Sequence, residues 1–474
     1  MNTRSQGMQQ RLVSHSAFIF SIRAFPAVAL LVVGIAFSHA LPPALNGVYQ
    51  QVWVYLAILL AIVSLGIPPL MLTHQPKTID SWLLSLRGRH IALYLLWILA
   101  FTGFYIGLFY RTVLFYPLLL GLLFFAQVWM LLLETYLIIH QRFISPALIN
   151  VIYSALFCAI HFAFLWGFLE IRSMFIALVL LVNFRTLSLF VLSRSVFENA
   201  KSQIKRRGLP LTIKKQWIQL GIYDISQVAF RWIDKLIIAR LVGPALFAIY
   251  FIGTTDVPFM AMLLSAAGNG LLQQMASGDG THASRIKMVN FSGALLARVV
   301  FPVFFFLFFF RAEFIEVVFS KTYLDSIPLF AISILSLPLR AYNYTSILQN
   351  LNRVNIINLG AVLDLSIAIA LAFPLYYWKG LPGVAFAFMI STYLQALFYL
   401  WQTAKALDCS ILQLIPWRKW ALMLVFFGSV AFGIHNLLSR YFKIQGTLLI
   451  GFAATVLMIV LALVPVVLRK NKNA

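Results

Sequence analysis

The sequence predicts an all-α polytopic membrane protein, with about fourteen transmembrane helices in two pseudo-symmetric six-helix lobes around a central cavity, plus a C-terminal helix pair. Three observations carry that expectation. The chain is 62% hydrophobic and only 10% charged, where soluble domains hold about 25% charged residues. Apolar runs of about 20 residues, the length needed to cross a bilayer, alternate with charged or turn-rich breaks along almost all 474 residues. The basic residues fall unevenly between alternate breaks, as they do when loops of one side face the cytoplasm.

The runs, in order, cover about 14–38, 44–72, 91–110, 113–137, 147–169, 173–193, 216–239, 244–272, 289–310, 327–350, 354–376, 381–403, 420–438 and 446–468. The first follows Arg4 and Arg11. It is too long for a signal-peptide core and reads as a retained span. With both termini on the cytoplasmic side, 22 of the 36 Lys and Arg lie at the inner ends and loops and 8 in the outer loops, Arg111 among them. The inner set includes Arg194, Lys201, Lys205, Arg206, Arg207, Lys214 and Lys215 in one long central loop. This bias supports a multi-pass chain with both termini cytoplasmic. It also accounts for the net charge of +23 through loops and anionic lipid, since no nucleic-acid module is visible. Cys158 and Cys409 are far apart and imply neither a disulfide framework nor a metal site.

The central loop suggests an N-terminal lobe over 1–193, a basic cytoplasmic linker over 194–215, a second lobe over 216–403 and a helix pair over 404–474. Pro43-Ala44-Leu45 with Tyr49 enters the second span, and Pro244-Ala245-Leu246 with Tyr250 enters the eighth, 201 residues later. Equivalent placement in the two halves points to a duplicated six-helix unit. Breaks are expected within span two at Leu65-Gly66-Ile67-Pro68-Pro69 and within span eight at Gly268-Asn269-Gly270, and Gly380-Leu381-Pro382-Gly383 opens span twelve.

Span seven is unusual. On a helix of about 100° per residue, Asp224, Gln227, Arg231, Asp234 and Lys235 fall within an arc of about 100°, while Ile225, Ala229, Trp232, Ile233, Leu236 and Ile237 lie opposite. A charge at mid-membrane costs about 2.5–3.5 kcal/mol on insertion scales, so these groups must pair or face water. An Arg231–Asp234 pair at i,i+3 spacing is one solution; a helix lining a polar cavity accounts for more of the charges. Other spans hold isolated polar groups: Arg23, Glu134, His161, Asn183, Arg185, Asp256, Arg298, Arg340, Asn343 and Asp364. Arg185 and Arg298 can snorkel to an interface, Glu134 and Asp364 can cap or pair within the bundle, and His161 reads as a packed core histidine. Glu313, Glu316 and Asp325 read as a solvated outer turn. Arg23, Arg231, Lys235 and Arg340 form the candidate cationic cavity, because guanidinium groups suit phosphate. Asp224, Asp234 and Asp256 would moderate that field or carry a coupling proton or sodium ion. No P-loop is present, and no outer loop exceeds about 16 residues, which weighs against a built-in ATPase or a membrane glycan polymerase or ligase.

Four stretches, IDKLIIARLVGPALFAIY (233–250), LGIPPLML (65–72), SILQNLNRVNIINLGAVLDL (346–365) and KGLPGVAFAFMIS (379–391), resemble the polysaccharide-transporter branch of the MOP superfamily. That branch holds lipid-linked oligosaccharide flippases of the O-antigen, Wzx type; MATE drug exporters and lipid II flippases are its relatives. The resemblance implies two six-helix lobes in a V, alternating access, and an undecaprenyl-pyrophosphate-linked glycan as cargo for surface polysaccharide and lipopolysaccharide synthesis. It implies no enzyme activity and no cofactor beyond a coupling ion, with membrane lipids and polysaccharide assembly proteins as partners and no nucleic acid. Arg23, Arg231 and Lys235 stand where such flippases place cavity cations. The competing expectations are a MATE-like exporter of organic ions, which would favour an acidic or aromatic cavity, and a membrane glycan polymerase or ligase.

Overall fold

The structure, a computed structural model, describes residues 22–109, 116–201, 208–257, 260–277 and 281–472, every secondary-structure element of which is helical. Arg4, Arg11, Arg111, Lys205, Arg206, Arg207 and the first residues of the first predicted span lie outside the described residues. Twelve helices are long and apolar enough to cross a membrane among the described residues. The two remaining predicted spans fail that test for different reasons. Residues 211–241 form one helix that carries too many charges, and the eighth span is two shorter helices.

The first half comprises α1 (Ile22–Ala40), α2 (Pro43–Val63), α3 (Ile67–Thr73), α4 (Pro76–Ser85), α5 (Gly88–Leu108), α6 (Pro117–Ile139), α7 (Ile144–Leu165) and α8 (Ile171–Lys201). The break between α2 and α3 falls where the sequence places it. Gly66 adopts φ 69°, a left-handed conformation that costs glycine little, and Pro68 and Pro69 start the next helix. The long basic loop expected over 194–215 is shorter in the structure. Arg194 and Lys201 extend α8, and Lys214 and Lys215 already belong to α9 (Leu211–Leu241). Polar and charged side chains are compatible with continued helix once water is available, so composition alone misplaces the helix ends.

The second half comprises α10 (Pro244–Gly253), α11 (Met260–Ser277), α12 (His282–Phe309), α13 (Arg311–Phe319), α14 (Ile327–Ile334), α15 (Ser346–Asn350), α16 (Val354–Lys379), α17 (Leu381–Leu407), α18 (Ile411–Leu414), α19 (Trp417–Tyr441) and α20 (Ile444–Lys472). Two expectations are corrected here. The eighth span breaks after Gly253, whereas Gly268 and Gly270 lie inside the continuous α11. The tenth span is α14 and α15 joined through a 3₁₀ turn over Leu337–Ala341, where Pro338 removes a helical donor. Gly380, at φ 65°, ends α16 and opens α17 as predicted. Nor is the outer acidic cluster a solvated turn throughout. Glu313 meets His435 Nε2 at 3.0 Å with its side chain 13% exposed, and Glu316 meets Lys321 at 3.6 Å.

The chain divides into two compact units. The first takes residues to Leu41 and Val48–Ile233, the second Pro42–Gly47 and everything from Asp234 onward, so α9 contributes to both. In the first unit, α9 crosses the α2–α3 break through two glycines. A Cβ on Gly66 would overlap the backbone of Gly221, and Trp217 Nε1 donates to Leu65 O at 2.7 Å. That crossing fixes the height at which Asp224, one turn further along α9, meets the rest of the unit. In the second unit, the start of α2 meets the start of α10. Asn46 Nδ2 donates to Tyr323 Oη at 2.8 Å, and Gly47 lies against the Pro244 carbonyl. The PALxxxY copies thus begin two helices in the same way, and their tyrosines are both buried: Tyr49 bonds His161 at 2.8 Å, Tyr250 bonds Asp234 at 3.3 Å.

Candidate functional site

Within the first unit, α1, α2, α3, α6, α7, α8 and α9 enclose a cavity of 610 Å³, inside the range of about 300–1,000 Å³ typical of small-molecule sites. Most of its wall is apolar, from Leu30, Leu60, Leu72 and Leu131, as the sequence of each span requires. Its charged groups come from four helices. Arg23 of α1 is exposed, and Asp224 of α9 lines the same cavity with opposite charge. Glu134 of α6 and Arg185 of α8 line it as well.

Glu134 and Arg185 are two of the four charges, with Arg298 and Asp364, that the sequence leaves ambiguous. Arg185 does not snorkel. It is 6% exposed, its Nη2 donates to Glu134 Oε2 at 3.2 Å, and its Nε donates to Asn150 Oδ1 at 2.9 Å. Asn150 closes the triangle by donating to the same Glu134 oxygen at 2.9 Å and to the carbonyl of Ile22 at 2.8 Å. The guanidinium also lies 4.3 Å over the Tyr153 ring. Three helices are thereby tied by charge-assisted hydrogen bonds, which run at roughly twice the strength of neutral ones, and α1 is joined to them by the neutral bond to Ile22. A buried ion pair of this kind is tolerated because each charge has its partner and its further hydrogen bonds. His161, further along α7, is a core histidine: its Nδ1 is bonded to Phe157 O at 2.7 Å.

Of the other sequence-selected charges, Asp234, Lys235, Asp256 and Arg340 lie in the second unit, as two opposite pairs. Lys235 Nζ meets Asp234 Oδ2 at 3.0 Å, both side chains about a tenth exposed, and the same carboxylate accepts from Tyr250. Asp234 therefore pairs with its neighbour in sequence, not with Arg231 at i,i+3. Arg340 Nη2 donates to Asp256 Oδ1 at 3.0 Å near the surface of the unit. Arg231 is exposed and, among the described residues, has no ion-pair partner. Among the described residues, Arg298, held able to snorkel, keeps Nη1 buried without a partner, and Asp364 is fully buried with no ion-pair partner, the Ser391 hydroxyl standing beside it. Three cation–acid pairs, Arg185–Glu134, Lys235–Asp234 and Arg340–Asp256, thus account for six of these charges, and the first opens into the amphipathic cavity that Arg23 and Asp224 also line. No group of acids, histidines and cysteines that could hold a metal ion occurs among the described residues.

No family model and no curated protein sequence matches the chain. Solved structures do. A lipid II flippase, MurJ, in an inward closed conformation superposes with a TM-score of 0.64 at 14% identity, covering 95% of this chain and 98% of that one. This is the fold of the MOP superfamily transporters. An inward-facing multidrug resistance MATE transporter of that superfamily matches with a TM-score of 0.54 at 15% identity, over 81% of this chain and 94% of that one. A MOP superfamily transporter from Pyrococcus furiosus, described as having a binding pocket of reversed polarity, matches at 0.54 and 14% identity over 84% and 96%. At these identities the likeness concerns the helical architecture, and the side chains of the cavity are this chain's own.

Proposed function

We propose that this chain moves a polyprenyl-pyrophosphate-linked oligosaccharide across the bacterial inner membrane by alternating access, for surface polysaccharide synthesis. One observation carries the reading: a cavity among membrane helices whose wall is mostly apolar yet presents the exposed guanidinium of Arg23 beside Asp224. A cargo with a lipid tail and a phosphorylated head needs both surfaces in one place. Arg23 supplies a planar fork of donors for phosphate. Asp224 holds the cation in balance while the site is empty, and Asp224, Asp234 and Asp256 are the acids through which a proton or sodium ion would drive the cycle. The fold shared with a lipid II flippase supports transport of a lipid-linked head group, whereas the shared MATE architecture makes a drug-export activity the reading to test against it.

The test is complementation of a strain deleted for the gene, with the Arg23→Ala protein at wild-type membrane abundance. Losing a charge-assisted hydrogen bond to phosphate costs about 1.5–3 kcal/mol, so surface glycan should fall by roughly ten-fold or more. Normal surface glycan, together with a changed resistance to cationic dyes, would replace this reading with the exporter.

A further inference from the structure

We infer that the Glu134–Arg185 side of the cavity recognises a sugar of the cargo, not its phosphate; the inference rests on the function proposed above and divides that site in two. Four observations lead to it. First, Arg185 is not an available cation. Its charge is spent on Glu134 at 3.2 Å and its Nε on Asn150, so an incoming phosphate would meet a neutralised guanidinium and an adjacent carboxylate. Phosphate only accepts hydrogen bonds, and the carboxylate would repel it. Second, the same wall offers unused groups of both kinds. Among the described residues, Glu134 Oε1 has no hydrogen bond, and neither has the amide of Gln127, a residue 5% exposed that lines the cavity. An amide donates and accepts, and a carboxylate accepts. Sugar hydroxyls do both, so a mixed array held rigidly by an internal ion pair suits vicinal hydroxyls.

Third, an aromatic ring stands beside that array. Trp53 lines the cavity and is held edge-to-face by Tyr49 and Phe157, at centroid separations of 6.0 Å in each case. Tyr153, which also lines the cavity, already carries Arg185 on its ring, and the Phe157 ring packs on Trp53 itself. The apolar C–H face of a pyranose packs on such a ring, burying area while its hydroxyls reach the polar groups at the edge. Fourth, among the described residues that line the cavity, the cation without an ion-pair partner is Arg23, which is exposed and acts on Asp224 rather than on Glu134. The cavity therefore separates into an anion-binding part at Arg23 and a polyol-binding part at Trp53, Gln127, Glu134 and Arg185.

A matched set of probes tests this on the purified full-length chain in lipid nanodiscs: farnesyl pyrophosphate, and the same molecule carrying N-acetylglucosamine, N-acetylgalactosamine, glucose or galactose. At least one sugar-bearing probe is expected to bind about ten-fold tighter than bare farnesyl pyrophosphate, or better. Gln127→Leu and Trp53→Leu should bring that ratio close to one while leaving farnesyl pyrophosphate affinity unchanged. Arg23→Ala should weaken all five probes alike. If the bare probe binds and no sugar improves it, the inference fails and the proposed function stands. If none of the five binds, both fail together. Variants that weaken bare and glycosylated probes equally would also overturn the inference. The wild-type ratio decides the matter even where a variant does not fold.

Discussion

Breaking the Glu134–Arg185 pair from one side should be far worse than removing it whole. At 3.2 Å the two charges attract with roughly 5 kcal/mol at an effective dielectric of about 20. Most of that offsets the cost of taking both ions out of water. Arg185→Met removes the counter-charge and leaves Glu134, its side chain 11% exposed, with Asn150 as its one remaining donor. An uncompensated buried charge of this kind costs about 3–5 kcal/mol. Glu134→Gln keeps an acceptor at the same place and leaves the guanidinium on Asn150 and Tyr153, so its cost is smaller, about 1.5–3 kcal/mol. The double variant has no buried ion and a neutral Gln–Asn contact. Its cost should be about 1 kcal/mol or less, as found where buried pairs are replaced by well-packed neutral groups. The pair therefore couples by about 3 kcal/mol or more, well outside the roughly 0.5 kcal/mol within which independent sites add. Thermal melting of the purified protein, followed by tryptophan fluorescence at one fixed scan rate, reads the order of the four proteins even where unfolding is irreversible. At about 2–4 °C per kcal/mol, Arg185→Met should lose roughly 6–20 °C, and the double variant should lie within about 4 °C of the native chain. Single losses that simply add in the double variant would show that the two side chains act independently and would refute the reasoning.

Two further outcomes follow from other parts of the fold. Asp364→Asn should leave the melting temperature unchanged or raise it by the equivalent of up to about 1 kcal/mol, because it replaces a fully buried carboxyl that has no counter-charge among the described residues with an uncharged isostere; a fall in melting temperature would reveal a counter-charge held there in the folded protein. Gly47→Ala should lower membrane abundance and melting temperature by the equivalent of about 1–3 kcal/mol, since its Cβ would overlap the Pro244 carbonyl, whereas Gly34→Ala, with open space around it, should gain about 0.5–1 kcal/mol from helix propensity. Equal behaviour of the two glycine variants would contradict the close crossing of α2 and α10.

Sequence alone determined the helical membrane architecture, because hydrocarbon leaves no other solution for backbone groups over runs of this length and apolarity. The breaks at Gly66 and Gly380 were legible for the same local reason: glycine and proline act through the backbone of their own residue. The strange character of α9 was visible too, since its charges need only the helical period to be placed on one face. Tertiary structure decided what those charges meet. Asp234 pairs with Lys235 and Tyr250, and the polar face expected to be uniformly wet is split between a cavity group at Asp224, a buried cluster, and an exposed Arg231. Glu134 and Arg185 are 51 residues apart and Asn46 and Tyr323 are 277 apart. Neither pairing leaves a periodic trace in the chain, because the energy that selects it arises only when helices pack and exclude water, and each side chain by itself reads the same whether it is paired, snorkelled or exposed.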